Sequence, residues 1–108
     1  MATKKEYLDY ILDGLSDVSG ITYRQMMGEY IIYINEKIAA YVCDNRLLIK
    51  PVASAVRLMP DAVYEPPYEG VKDMLLCENT DNKDFLTELF NAIEPELAMP
   101  KKRKQKGV

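Results

Sequence analysis

Apolar residues recur every three to four positions at the start of the chain, the spacing of one face of an α-helix. Thr3 followed by Glu6 has the form of a capping box, in which each side chain binds the other residue's backbone N–H. Ser19-Gly20 offers a stop, because glycine adopts a positive φ at little cost. The pattern predicts a first helix between these signals. Its apolar positions are Tyr7, Leu8, Ile11, Leu12, Leu15 and Val18.

The next thirty residues change to short runs rich in Tyr, Ile, Val and Leu, which is typical of strands. The joints between these runs contain Gly28, Asn35-Glu36 and Asp44-Asn45, and Asn and Asp tolerate the positive φ of tight hairpin turns. Because connections this short cannot make a parallel crossover, the runs predict an antiparallel meander. The four predicted strands are Thr22–Met27, Glu29–Ile34, Lys37–Cys43 and Arg46–Lys50.

The remaining pattern predicts a short helix, a loop, a fifth strand and a last helix. Pro51 and Pro60 bound the short helix, whose seam is Val52, Ala55, Val56 and Met59. Residues 61–70 contain too much proline for a regular element, and residues 71–78 read as the fifth strand. Thr80 or Asp81 caps the last helix, and Pro95 should end or kink it. That helix has the apolar face Phe85, Leu86, Leu89, Phe90 and Ile93.

The order α-β-β-β-β-α-β-α predicts a two-layer α+β fold in residues 1–99, with an antiparallel sheet of about five strands and flanking helices. Residues 100–108 are predicted to be a disordered basic tail. The strands do not alternate cleanly between apolar and polar positions, and Tyr33 and Tyr41 fall on the face opposite the main core. Either a helix covers that second face or a second subunit does, as in a homodimer.

Charge is distributed unevenly along the 108 residues. Residues 1–100 hold nine basic and 17 acidic residues, a balance of −8, while the tail is basic. The tail could contact nucleic-acid phosphates weakly and without sequence preference, or it could be a solvated segment that contacts the acidic body. Its basic residues are Lys101, Lys102, Arg103, Lys104 and Lys106.

The inventory of reactive groups is small. The chain has no histidine, which excludes Ser-His-Asp and Cys-His nucleophiles and HExxH zinc sites, and its five glycines form no phosphate-binding loop. Cys43 and Cys77 lie in apolar runs without CxxC spacing, so we expect reduced, buried thiols, with redox sensing or metal binding as the alternatives. Glu65, Glu69 and Asp73 could form a carboxylate pair or a metal site, although acids in loops are usually solvated. We predict no enzyme activity, no cofactor and no metal.

A second candidate surface is the proline-rich loop. Tyr64, Pro66, Pro67 and Tyr68 could be presented to a partner in polyproline II form, or the tyrosines could fold back onto the domain. The N-terminus runs directly into the amphipathic segment without a secretory h-region, and no apolar run could span a bilayer. These features predict a cytoplasmic protein without membrane contact.

Three segments resemble the TfoX (Sxy) N-terminal domain family, and the resemblance covers roughly residues 5–97. Residues 23–33 (YRQMMGEYIIY) resemble its KxMFGxYGxY opening, although Met27 replaces the usual Phe and Ile31 a common Gly. Ile38–Val42 with Asn45–Lys50 resembles its xFAxVxDxxLYLK strand pair, and Tyr64–Gly70 with Met74 resembles short stand-alone members from Gram-positive bacteria.

This resemblance implies a bacterial cytoplasmic domain with an antiparallel sheet flanked by helices. In full-length relatives the domain belongs to a regulator of natural competence that works with a cyclic-AMP-responsive transcription factor, and no catalytic residues are established for it. The leading expectation is a non-catalytic regulatory domain that binds a protein. The alternatives are a nucleic-acid-associated protein that uses its tail, and a small-molecule binder or enzyme that uses the tyrosine-rich sheet face.

Overall fold

The computed structural model describes residues 3–99, and the tail residues named above lie outside that range. Within it the chain forms three α-helices, six strands and a closing 3₁₀ turn, and the α+β prediction is confirmed. In chain order these elements are α1 (Lys5–Gly14), β1 (Ile21–Met26), β2 (Glu29–Ile34), β3 (Lys37–Cys43), β4 (Arg46–Ile49), α2 (Ala53–Leu58), β5 (Tyr64–Glu65), β6 (Met74–Cys77), α3 (Lys83–Ile93) and the 3₁₀ turn Glu94–Glu96.

Three two-residue turns build the predicted meander from β1 to β4. Both residues of each turn have positive φ, which is the signature of the type I′ turn that matches the twist of a hairpin. The predicted turns at Asn35-Glu36 and Asp44-Asn45 are confirmed. The first turn consists of Met27 and Gly28, with φ values of 53° and 82°. Met27 was predicted to be the last residue of the first strand, but it lies in this turn.

The sheet has six antiparallel strands in the order β1-β2-β3-β4-β6-β5, one more than the sequence indicated. The expectation that residues 61–70 hold no regular element was wrong. Tyr64 and Glu65 precede the prolines and keep their N–H groups, and they pair with Leu75 and Met74. The predicted strand 71–78 is shorter than expected and is confined to β6, which lies between β4 and β5.

All three helices contribute buried side chains to one core on one face of the sheet. Phe90 and Leu86 of α3 and Leu8 of α1 are fully buried there against Ile32 of β2 and Ile49 of β4. Removing these side chains from water is the largest favourable contribution to folding. Since the helices share one face, they leave the opposite face of the sheet without a helical layer.

A β-bulge in β3 explains why that strand does not alternate cleanly. Tyr41 pairs with Ile31 and Ala40 with Ile32, but Ile38 pairs with Tyr33, so one residue is extra between them. That residue is Ala39, which is fully buried like Ala40. The bulge places Ile38 and Tyr41 on the same face, opposite the helices, although they are three positions apart and would point to opposite faces in a regular strand.

Several helix ends differ from the predictions. The prediction of a capping box at Thr3 and Glu6 was wrong. The Thr3 hydroxyl donates to Glu29 Oε1 at 2.6 Å and does not cap α1. Helix α1 ends at Gly14, and the chain then makes turns up to Gly20. Helix α3 is capped by Asn82, whose side chain accepts from the Phe85 N–H at 3.0 Å, and not by Thr80 or Asp81.

Two further details concern the prolines and the short helix. Val56 was placed on the apolar seam of α2 but is 41 % exposed, whereas Ala55 and Met59 are buried. The prediction that Pro95 ends the last helix is confirmed, because α3 stops at Ile93 and a 3₁₀ turn follows. In that turn Glu96 accepts from the Ser54 N–H at 2.8 Å and from its hydroxyl at 2.6 Å.

Candidate functional site

The face of the sheet away from the helices carries a small second apolar cluster. Cys43, Leu48 and Met74 are buried in it, and Tyr41 and Leu76 are half-buried against it. The cluster is assembled by strand pairing, since Leu48 stands opposite both Tyr41 of β3 and Leu76 of β6. Strand alternation places it on the opposite side from the main core.

Three tyrosines form the outer layer of this face, and together they are named the tyrosine surface: Tyr33, Tyr41 and Tyr68. The rings of Tyr41 and Tyr68 pack with centroids 6.2 Å apart at an interplanar angle of 59°. Burial, and then the neighbouring Tyr68 and Tyr33, raise the pKa of the Tyr41 hydroxyl above its ordinary value of 10.0. The Tyr41 hydroxyl is therefore a neutral donor and acceptor at pH 7.

Arg46 holds the loop that brings Tyr68 to this face. Its Nη1 lies 2.7 Å from Glu65 Oε1, and its Nη2 donates to the carbonyl of Pro67 at 3.1 Å. The Pro66 carbonyl lies 3.4 Å from Nη1. Since Arg46 stands directly opposite Cys43 across β3 and β4, these bonds draw the loop over Cys43. Sequence reasoning missed Arg46, because its partners lie about twenty positions away in a loop without a recognisable pattern.

The structure brings together only some of the predicted surface residues. Pro67 is buried and Tyr68 is 42 % exposed, so the loop is partly folded back onto the sheet. Pro66 is exposed beside them. Tyr64 stands directly opposite Leu75, whose side chain belongs to the main core. Directly paired residues point to the same face, so Tyr64 lies on the helix side of the sheet, away from Tyr41. Tyr33, Tyr41 and Tyr68 form one surface that Tyr64 does not join.

The two cysteines lie on opposite sides of the sheet. Cys43 belongs to the second cluster and Cys77 to the main core, and both are free and buried. Burial is the largest cause that raises the pKa of each thiol to about 11. Because the thiolate is the reactive form, both thiols are poor nucleophiles in the folded protein at neutral pH.

The three acids that could have formed a carboxylate or metal site are separated by their contacts. Glu65 is engaged by Arg46, whereas Glu69 and Asp73 are exposed. Among residues 3–99, no group of three or more Cys, Asp or Glu side chains is placed to hold a metal ion. None of the helices in that range combines the length and the apolar character needed to cross a bilayer.

Comparison with known proteins finds two similar sequences. An uncharacterized 12.7 kDa protein in the trpE 5′ region of Spirochaeta aurantia is 29% identical over 107 residues, which cover 98% of this chain and 93% of that protein. The DNA polymerase II large subunit of Picrophilus torridus is 24% identical over 93 residues, which cover 84% of this chain but 9% of that protein. No family model matches the chain. No solved structure matches it either.

Proposed function

We propose that this chain is a non-catalytic regulatory domain that binds another protein through the tyrosine surface. The observation that carries the proposal is the aromatic layer on the sheet face that has no helix over it, where Tyr41 packs on Tyr68 and Tyr33 of the neighbouring strand lies on the same face. Tyrosine supplies a large, rigid contact area at a low cost in side-chain entropy, together with a hydroxyl that can find a partner. Tyr41 packs against the buried cluster of Cys43, Leu48 and Met74, and this packing fixes the surface before a partner binds.

The charges around this surface favour a partner segment that combines basic and apolar side chains. Glu69 and Asp73 are exposed in the same loop as Tyr68. The first hundred residues have a balance of −8, from nine basic and 17 acidic groups. Aromatic faces attract Lys and Arg directly, and surrounding acids raise the local concentration of a basic partner.

The resemblance to the TfoX N-terminal domain supports the regulatory part of this proposal, because that family works through other proteins and has no established catalytic residues. A bacterial, cytoplasmic role in regulation, with competence as the process known for full-length relatives, belongs to the same proposal. It requires no cofactor.

Two short peptides test the binding chemistry: one alternates Lys and Leu, and the other alternates Glu and Leu. Titrated into the isotope-labelled full chain, the Lys–Leu peptide is expected to shift the amide resonances of Tyr33, Tyr41 and Tyr68, while the Glu–Leu peptide leaves them unchanged. Replacing Tyr68 by Ala should weaken binding about tenfold, the loss typical of an interface anchor.

Tyr10→Ala is the matched control, since Tyr10 is 43 % exposed, close to the 42 % of Tyr68, but lies on α1. Equal weakening by both variants would contradict the assignment of the surface. Absence of binding by both peptides, combined with salt-dependent binding of duplex DNA, would instead favour the basic tail as the functional segment.

A further inference from the structure

Strand β1 is an edge of the sheet, and none of residues 3–99 pairs with its outer side. The inner side is occupied by β2, and the Gly20 carbonyl accepts from the Asn35 N–H at 2.9 Å. Because bonded and non-bonded pairs alternate along an antiparallel ladder, this bond determines which residues face outward. The backbone N–H and C=O groups of Ile21, Tyr23 and Gln25 point away from β2.

A recess of about 190 Å³ borders this edge on the side of the tyrosine surface, and its lining carries both signs of charge. Arg24 of β1 and Glu36 of the β2–β3 turn both contribute to it, and neither forms an ion pair within residues 3–99. Thr22 and Tyr33 complete the wall nearest the sheet. An additional strand laid against β1 would place its own side chains beside this recess.

We propose that β1 pairs antiparallel with β1 of a second copy of this chain, about a two-fold axis through Tyr23. In that register the Tyr23 residues stand opposite each other, and Ile21 stands opposite Gln25 of the other copy. These three pairs would exchange about six backbone hydrogen bonds, which are the groups that the edge leaves without partners. The pairing uses backbone groups of β1, and Tyr33 of the tyrosine surface lies beside it.

The same register favours a copy of this chain over an unrelated strand because it is electrostatically complementary to itself. Arg24 stands directly opposite Thr22 of the other copy, so the two arginines are diagonal neighbours and not a directly opposed pair. Thr22, Arg24 and Glu36 line one recess, and Arg24 of the other copy therefore approaches it from the side of Thr22, where Glu36 supplies a carboxylate. Two-fold symmetry repeats the Arg24–Glu36 contact, as expected for an interface that uses one patch on both subunits.

The helix side of the edge has a corresponding feature. A groove of about 580 Å³ runs between α1 and β1 and is lined by Leu12, Leu15, Val18, Ile21 and Tyr23. Pairing through β1 brings the apolar Ile21 and Tyr23 side chains of the second copy to the open end of this groove. The exposed edge is thereby covered, which removes a site of unspecific strand pairing.

The test is the concentration-dependent mass of the full chain, measured by sedimentation equilibrium. The wild-type chain should reach twice the monomer mass of 12.4 kDa. Gln25→Pro removes an outward N–H and leaves the bonds to β2 intact, as proline is tolerated on the free side of an edge strand. It should raise the dimer dissociation constant about tenfold or more, through one lost bond in each copy. The Gln25→Ala variant keeps the N–H, so its dimer should dissociate far less than the dimer of the Gln25→Pro variant.

Charge reversal identifies the partner contact. Arg24→Glu and Glu36→Arg should each weaken the dimer, and the double variant should recover most of the loss. Circular dichroism of every variant shows whether it is folded. A folded wild-type chain that stays monomeric at millimolar concentration would overturn the proposal. A dimer that resists Gln25→Pro and Arg24→Glu but is lost with Tyr41→Ala would overturn it too, because the interface would then be the tyrosine surface.

Discussion

Replacement of Arg46 by methionine should open the loop over Cys43 without unfolding the domain. Methionine keeps the length and apolar character of the arginine stem but removes the guanidinium. The substitution therefore abolishes the ion pair with Glu65 at 2.7 Å and the bond to the Pro67 carbonyl at 3.1 Å, together with the longer approach to Pro66. The strand pairing of β4 with β3 and β6 uses backbone groups and remains.

The free energy involved follows from the exposure of these groups. The side chains of Arg46 and Glu65 are 25% and 39% exposed, so solvent screening reduces their ion pair to about 1 kcal/mol. The carbonyl bonds to a charged donor add about 1 kcal/mol more after exchange with water. A loss of about 2 kcal/mol should increase the open population of the loop about 30-fold.

The two buried cysteines provide a local and a global reporter for this opening. In a Cys77→Ala background, the labelling rate of Cys43 by a thiol reagent should rise about 30-fold on Arg46→Met, when opening is fast relative to labelling. In a Cys43→Ala background, Cys77 reports the main core, and its labelling should change much less. Arg57→Met is the matched control, since Arg57 lies on α2, where its Nη2 is 3.4 Å from the Ser54 hydroxyl, and it forms no hydrogen bond or ion pair with the loop among residues 3–99.

Two results would refute this reasoning. If the labelling rates of Cys43 and Cys77 rise by the same factor, Arg46 stabilises the whole domain and not the loop. If the labelling rate of Cys43 stays at the wild-type value while the protein remains folded, packing of Pro67 and Tyr68 holds the loop and the guanidinium bonds are redundant.

Two further predictions concern the stability of the domain. Phe90→Ala, at the centre of the main core, should cost about 3–5 kcal/mol in urea unfolding, and a loss below about 1 kcal/mol would contradict its packing role. Hydrogen bonds from Ser54 lower the pKa of Glu96 from its ordinary value of 4.5. The stability that the Glu96 carboxylate contributes to the folded state is therefore present above pH 4.5 and is lost as the pH falls through the lowered pKa. The melting temperature of Glu96→Gln should therefore differ from wild type near neutral pH and converge with it in acid; a constant difference would count against the linkage.

The local elements could be read from the sequence because their causes are local. Asn35-Glu36 and Asp44-Asn45 indicated tight turns through their tolerance of positive φ, and Pro95 indicated a helix end through its missing N–H. The periodicity of α1 and α3 likewise identified the side chains that these helices bury in the core, namely Leu8, Ile11, Leu86, Leu89, Phe90 and Ile93. The position of Tyr33 and Tyr41 on the second face followed from strand alternation.

Tertiary structure decided the features that depend on distant partners. Thr3 left its expected capping role because the Glu29 carboxylate lies within 2.6 Å of its hydroxyl, and no local pattern encodes that approach. Arg46 became the support of the tyrosine surface only when folding brought residues 65–67 beside it.

The types of the helices and of the strands other than β5 were thus determined by the sequence alone, since backbone preference and apolar spacing act over a few residues. The insertion of β6 between β4 and β5, the joining of Tyr68 to Tyr41 and the exclusion of Tyr64 were decided by the tertiary structure. The physical reason is that strand order and loop placement depend on contacts between distant segments, whose free energies are settled only when the whole core packs.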